Sequence, residues 1–232
     1  MKRALVALPA MLALAACSSE PEPVETPSPT PTQAGPRTLV AAGLSEQDLG
    51  PIIEGPEGAE VESTVTFEGR EIATVVSYVA CPPYDEGDVE LEAREGENVL
   101  PMCGPTIQTD DAVYTYVHRV TPGEGADGPL FSFRTSRRAT GFANVIGFDR
   151  AQAEAALGEG YAIGVSIDNG QLIWRIETGD GWDAGEEITF FWQTTLAPEG
   201  PMEAFLIENG TGQAGATGPF PPAEEPEEET AE

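Results

Sequence analysis

The chain has 232 residues, with 40 acidic and 11 basic side chains that leave a formal net charge of -29 at pH 7. This charge argues against a nucleic-acid-binding protein, because neutralising phosphates requires a basic surface. It argues equally against electrostatic docking on anionic lipid headgroups. Solubility is the simplest explanation of the acidity, and a cluster of carboxylates that holds Ca²⁺ is the alternative.

The N-terminal residues are typical of a secretory signal: two basic residues precede an apolar run, residues 4–13, which is too short to cross a bilayer as a helix. The sequence Leu14-Ala15-Ala16-Cys17 follows, and it resembles the lipobox of bacterial lipoproteins. The resemblance implies that residues 1–16 are removed and that Cys17 becomes the lipid-bearing first residue. An ordinary cleaved signal with an incidental cysteine is the alternative.

The lipobox resemblance also implies a location. A lipidated Cys17 anchors the protein to a membrane of the cell envelope, and Ser18 after it favours the outer membrane, on either the periplasmic or the exposed side. Residues 17–37 are rich in proline and nearly free of apolar side chains. We therefore expect them to form a disordered tether.

Short segments of alternating polarity begin at residue 61. Residues 61–67 and 71–79 flank Glu68-Gly69 and predict a hairpin, and residues 89–94 predict another strand with an acidic outer face. Before them, residues 45–48 resemble a capping box that opens one short helical turn.

The second half of the chain predicts most of the remaining elements. Strands are expected at residues 112–120, 130–135, 141–148, 161–167, 171–178, 187–196 and 202–208. Asn169-Gly170 between two of these strands is a strong hairpin signal. Asp149 should cap a single helix at residues 150–157, which Gly158 ends.

Many short strands with one short helix predict a mainly β protein, an antiparallel β-sandwich of the immunoglobulin or fibronectin kind. We expect the sandwich domain to cover residues 38–213, and residues 214–232 to be an acidic disordered tail. A split near residue 110 into two smaller sandwiches is the alternative.

Three strand segments carry a second resemblance. Residues 113–117, 130–133 and 185–201 are similar to the β-sandwich ectodomains of exported bacterial surface proteins, of which those with a PEP-CTERM sorting tail are the nearest. Residues 214–232 do not match that sorting tail. The resemblance implies a surface β module and brings no catalytic residues with it.

The two cysteines that remain after Cys17 are Cys81 and Cys103. Their spacing matches neither a CxxC redox motif nor a zinc ribbon. In an oxidising compartment such a pair usually forms a bond, so we predict a structural disulfide, with free thiols as the alternative.

Catalytic chemistry has little support in the sequence. His118 is the only histidine, and its position within a strand beside two tyrosines favours a packing role over a catalytic one. A hydrolase that uses two carboxylates would not need it, and with 40 acidic residues some pair will lie at a suitable distance by chance.

Two groups of residues could bind a ligand. Asp180, Asp183 and Glu186 lie in a glycine-rich loop that could hold Ca²⁺, although a solvated loop is the default. Trp182 in the same loop is either a stacking platform for a sugar or a partner, or an indole that folds back and closes the end of the sandwich, which is the commoner role.

Arginines are concentrated near the middle of the chain. Arg134, Arg137 and Arg138 either pair with nearby acids, which is the default, or form a site for an acidic ligand.

Taken together, these patterns predict a lipid-anchored, non-catalytic protein of the cell envelope that acts in binding or surface structure. Its expected partners are the membrane, through the lipid, and a glycan or an envelope protein, but not nucleic acid. We expect no cofactor, with Ca²⁺ as the alternative. A hydrolase of envelope or extracellular polysaccharide is the alternative function.

Overall fold

The computed structural model describes residues 35–54, 58–82, 113–179 and 181–223. The first of its two sheets, sheet A, is antiparallel throughout. It contains β1 (Arg37–Thr38), β6 (Leu130–Thr135), β8 (Ala162–Asp168), β9 (Gln171–Thr178), β11 (Gly200–Asn209) and β12 (Gln213–Phe220). The order of the strands across sheet A is β1-β8-β9-β6-β11-β12.

Sheet B is mixed, because its short edge strand β2 runs parallel to β7 while the other neighbours are antiparallel. It contains β2 (Ala42–Gly43), β3 (Val61–Phe67), β4 (Arg70–Ala80), β5 (Tyr114–Pro122), β7 (Phe142–Phe148) and β10 (Ile188–Thr194). The order of the strands is β2-β7-β10-β5-β4-β3. A 3₁₀ turn (Leu44–Glu46) and one α-helix, α1 (Arg150–Leu157), complete the described secondary structure.

Local sequence signals account for the two tight hairpins. Glu68 and Gly69 have φ values of 50° and 76°, and Asn169 and Gly170 have values of 49° and 79°. A type I′ turn requires a positive φ at both central residues, which asparagine and glycine tolerate best. Both predicted hairpins are therefore confirmed.

The predicted helix is also confirmed, with the expected residues at both ends. The side chain of Asp149 accepts hydrogen bonds from the backbone N–H groups of Ala151 and Gln152, which have no partner inside the helix. Gly158 ends the helix with a φ of 79°, a conformation that costs little without a Cβ atom.

The two sheets pack face to face through aromatic rings, which confirms the predicted β-sandwich. Phe133 of sheet A stacks on Phe190 of sheet B with the ring centroids 5.3 Å apart. Trp192 stacks on Tyr116 at 4.7 Å within sheet B and contacts Phe220 of sheet A at 5.6 Å. Between the sheets, the residues of β9 and β10 that are fully buried include Leu172, Trp174, Ile188, Phe190 and Trp192.

The chain passes between the two sheets at one edge of the sandwich, and two strands lie side by side at the other. At one edge, β1 and β2 are consecutive in the chain but belong to different sheets, so the chain crosses between the sheets there. At the other edge, β12 lies beside β3, and the backbone N–H of Thr217 donates to Ser63 Oγ at 2.9 Å.

The central strand β10 of sheet B is buried on both faces, whereas the alternating pattern predicts one inward face. Every residue of β10 is buried. On its outer side, Gln193 donates to Thr115 Oγ1 at 3.1 Å and to Gln47 Oε1 at 3.3 Å. Gln47 directly follows the 3₁₀ turn, so a segment distant in sequence lies over these strands.

The predicted C-terminal boundary of the domain is wrong. Residues 213–220 form β12, which pairs with β11 along its length, so the tail does not begin at residue 214. Alanine and glycine favour strands weakly, which hid this element in the sequence. The small residues are needed here because a Cβ on Gly218 would lie 2.8 Å from Phe205 and 3.0 Å from Ser77 Oγ.

Two further predictions concern the first half of the chain. The helical turn covers Leu44–Glu46 with Gly43 as its N-cap, two residues before the predicted cap at Ser45, and Glu46 Oε2 accepts the Gly43 N–H at 3.2 Å. The predicted strand at residues 89–94 lies outside the described residues.

Candidate functional site

Three side chains from neighbouring strands of sheet B form a hydrogen-bonded chain inside the sandwich. Ser77 Oγ lies 2.9 Å from His118 Nδ1, and Trp192 Nε1 donates to His118 Nε2 at 3.1 Å. Because an indole N–H can only donate, Nε2 is the unprotonated nitrogen of His118. The neutral ring therefore carries its proton on Nδ1 and donates it to Ser77.

This serine and histidine do not form a catalytic pair. Ser77 and His118 are both 0% exposed, so no substrate can reach them. Burial lowers the pKa of His118 to about 3, which makes the ring a poor proton acceptor. The rings of Phe133 and Phe205 contact it from sheet A. The packing role predicted for His118 is confirmed.

Trp182 is not a stacking platform, because its side chain is 0% exposed. Its ring meets Phe190 edge-on with centroids 5.5 Å apart, and its Nε1 donates to the carbonyl oxygen of Glu186 at 2.6 Å. Its own carbonyl oxygen accepts the N–H of Leu130 at 3.0 Å. The structure therefore supports the second interpretation, an indole folded into the core, and Trp182 is not a binding residue.

The loop that carries Asp180, Asp183 and Glu186, the candidate Ca²⁺ site, is only partly described. Asp180 lies outside the described residues. In the described part, Glu186 Oε2 accepts the backbone N–H of Asp183 at 2.8 Å, so this carboxylate closes its own loop. Nowhere in the described part of the chain do three metal-binding side chains come together. Ca²⁺ binding at this loop stays the untested alternative to a solvated loop.

Arg134 lies on the outer face of sheet A and has several partners. Its Nε lies 3.5 Å from Glu208 Oε1, and its two terminal nitrogens donate to Gln171 Oε1 at 3.3 Å and Gln213 Oε1 at 2.9 Å. Arg134 is therefore paired, which is the default interpretation. Its role differs from that of Arg137 and Arg138.

Arg137 and Arg138 follow β6 and are both exposed. They line a cleft of about 310 Å³ together with Thr140, Phe220, Pro221 and Ala223. Arg137 Nη1 lies 2.8 Å from the sulfur of Met202, which is a weak acceptor. No carboxylate of the described residues lies within 4.0 Å of either guanidinium. The arrangement offers two positive charges to an anion, and we call it the arginine cleft.

Sequence reasoning missed half of the arginine cleft. Phe220, Pro221 and Ala223 belong to β12 and its continuation, which were assigned to the tail. The available signal was Ala214 and Ala216 at a spacing of two before the large aromatic Phe220, and all three are buried. Side chains that small give too little hydrophobic contrast to identify a strand.

The cysteines are only partly described. Cys81 is buried immediately after β4, whereas Cys17 and Cys103 lie outside the described residues. The Cys81–Cys103 disulfide and the lipidation of Cys17 stay predictions.

The described residues include no helix long and apolar enough to cross a membrane. No protein-family model, no curated protein and no solved structure matches this chain.

Proposed function

We propose that this chain is a lipid-anchored, non-catalytic protein of the bacterial cell envelope whose β-sandwich acts in binding or surface structure. Support for the anchor comes from Cys17 at the end of its lipobox-like sequence. The proline-rich residues after it would hold the sandwich up to roughly 60 Å from the membrane if extended as polyproline II. A glycan or another envelope protein is the proposed partner.

The composition of the arginine cleft is the observation that favours binding over hydrolysis. A two-carboxylate hydrolase needs acidic groups that converge on one cleft. The described residues that line this cleft include Arg137 and Arg138 and no aspartate or glutamate. Two guanidiniums at an open surface are suited to holding an acidic group.

One surface carboxyl group, Asp127, is unsuited to acid catalysis. The pKa of Asp127 is lowered, chiefly by its hydrogen bonds with Arg70. A general acid needs a carboxyl group whose pKa is raised towards neutrality. Asp127 is therefore suited to a permanent ion pair and not to proton donation.

The anchor is tested by substitution at the proposed lipidation site. Cys17→Ala removes the sulfur to which the lipid would be attached, so the variant should leave the detergent phase in a Triton X-114 partition. Ser18→Ala, which keeps the cysteine, should partition like the wild type. A Cys17→Ala protein that still enters the detergent phase would contradict the lipid anchor.

The non-catalytic assignment is tested separately. The full-length protein in detergent is incubated with purified envelope polysaccharide, and the release of reducing ends is measured. We expect no release above the buffer control. Release that depends on protein concentration would favour the hydrolase instead.

A further inference from the structure

The arginines of the sandwich differ in their partners. The described residues include eight arginines, and six of them have an oxygen partner. These partners are Asn144 for Arg37, Asp127 for Arg70, Glu60 for Arg119, Glu208 for Arg134 and Arg175, and the carbonyl oxygen of Ala41 for Arg150. Arg137 and Arg138 are the two that have no such oxygen partner among the described residues, in a protein with a large excess of carboxylates.

Backbone contacts anchor the stretch of chain that carries Arg137 and Arg138. Gly170 lies directly beneath the side chain of Arg138, since a Cβ there would be 2.9 Å from Arg138 Nε. The backbone of the next residue is fixed as well, because the N–H of Ala139 donates to the carbonyl oxygen of Gly170 at 2.8 Å. Both charges therefore project from an anchored stretch of backbone.

The chain itself leads out of this cleft. Phe220, Pro221 and Ala223 form part of its wall, and residues 224–232 follow directly. This segment contains six glutamates and no basic residue. We call it the acidic segment.

We propose that the acidic segment docks on Arg137 and Arg138 of the same chain and is the resident ligand of the arginine cleft. Continuity of the chain and charge complementarity both support this assignment. A glutamate that starts at the cleft reaches the guanidiniums without closing a long loop, so the entropic cost is small. The effective concentration of a ligand on so short a connection is on the order of millimolar.

The inference rests on the proposed function in taking the arginine cleft as the binding surface, and it adds the ligand class and a means of regulation. The ligand class is a glutamate-rich peptide. An acidic segment of a partner protein must displace the chain's own carboxylates before it binds. High ionic strength weakens both interactions, because these charges are exposed.

A cross-linking experiment tests the docking directly. Lys2 is the only lysine of the chain, so Arg138→Lys places a single lysine in the sandwich, at the arginine cleft. A carbodiimide then joins a contacting glutamate carboxylate to the lysine amine as an amide, and the reagent takes up the water as a urea. We expect mass spectrometry of the full-length protein to find this amide between position 138 and residues 224–232 of the same chain.

Arg175→Lys is the matched control. In the wild type, Arg175 Nη2 lies 3.9 Å from Glu208 Oε2, so this variant should couple to Glu208 and not to the acidic segment. The yield of the cross-link between Arg138→Lys and the acidic segment should decline severalfold in about 1 M NaCl, where the Debye length is about 3 Å. A cross-link between two chains would overturn the proposal. So would the absence of a cross-link to the acidic segment while Arg175→Lys still couples to Glu208.

A titration separates failure of this inference from failure of the proposed function. A free peptide with the sequence of residues 223–232 is titrated into the wild type and into a variant with all six glutamates of the acidic segment changed to glutamine. Without its internal competitor, the variant should bind the peptide more tightly than the wild type does. Adding Arg137→Gln and Arg138→Gln should abolish that binding.

The two remaining outcomes differ in meaning. Equal affinity for both proteins would show that the cleft takes acidic peptides but is not occupied by the chain's own segment, so the inference would fail and the binding surface would stand. Binding to neither protein would remove the arginine cleft as a site for acidic ligands, and the inference would fall with it.

Discussion

Burial decides the chemistry of single residues in this protein, and His118 shows how. An imidazole at the surface would be protonated in part near neutral pH. Inside the sandwich it is neutral, and it accepts from Trp192 while it lies beside Ser77. Its sequence context indicated packing, but only the structure shows which neighbours fill its hydrogen-bonding capacity.

The lowered pKa of His118 predicts a particular dependence of stability on pH. In the unfolded chain, His118 binds a proton below its ordinary pKa of 6.5. In the native state it stays neutral down to about pH 3. The contribution of His118 is thus fully present above pH 6.5, and it declines by up to about 1.4 kcal/mol per pH unit as the pH falls through this window. Urea unfolding at several pH values measures the slope.

Carboxylates also titrate in this window, so the control for the pH experiment is His118→Gln, which cannot be protonated and still offers an oxygen to Trp192. The unfolding free energy of the wild type should decline more steeply than that of the variant between pH 6.5 and 4.5. Identical slopes would mean that His118 does not titrate on unfolding.

Trp182 is the residue for which the structure changes the expected effect of a mutation. A platform residue could be removed at little cost, but a buried indole leaves a cavity. We expect Trp182→Ala to lower the free energy of unfolding by about 3–5 kcal/mol, as for other core tryptophans. Phe131→Ala is the control, because Phe131 is 43% exposed, and it should cost less than about 1 kcal/mol.

At the scale of secondary structure, the elements with strong local signals are those that the sequence predicts most closely. Predicted and observed bounds agree for the helix at residues 150–157 and for β6 and β9. The sequence does not predict β12, because its pairing with β11 stabilises it and its own composition does not. Gly218 in this strand leaves room for the Phe205 ring of β11 and the Ser77 side chain of β4.

A substitution in β12 tests this account of its composition. Gly218→Ala would place a Cβ against Phe205 and Ser77, and we expect a loss of about 1–3 kcal/mol in unfolding free energy from overpacking. Gly200→Ala at the start of β11 is the control, since a Cβ there meets nothing within 4 Å. Equal effects of the two substitutions would show that Gly218 is not required by packing.

At the scale of the whole molecule, the predicted Cys81–Cys103 disulfide would stabilise the domain mainly by restricting the unfolded chain. Closing a loop of this length contributes about 3 kcal/mol in the chain-entropy model. The oxidised protein should show no titratable thiol when it is denatured without reductant, and reduction should lower its melting temperature. Two reactive thiols in freshly isolated protein would contradict the bond, and a melting temperature indifferent to reductant would remove its structural role.

The sequence by itself determined the mainly β class, both tight hairpins, the helix and the packing role of His118. Each of these depends on contacts between residues close in the chain, such as the Asn169-Gly170 turn or the cap at Asp149, or on a simple alternation of polarity. The tertiary structure alone decided that Trp182 turns inward, that β10 is buried on both faces, that β12 belongs to sheet A, and that Arg137 and Arg138 line a cleft. These features depend on which distant segments lie against one another, and neither local propensity nor hydrophobic period encodes that.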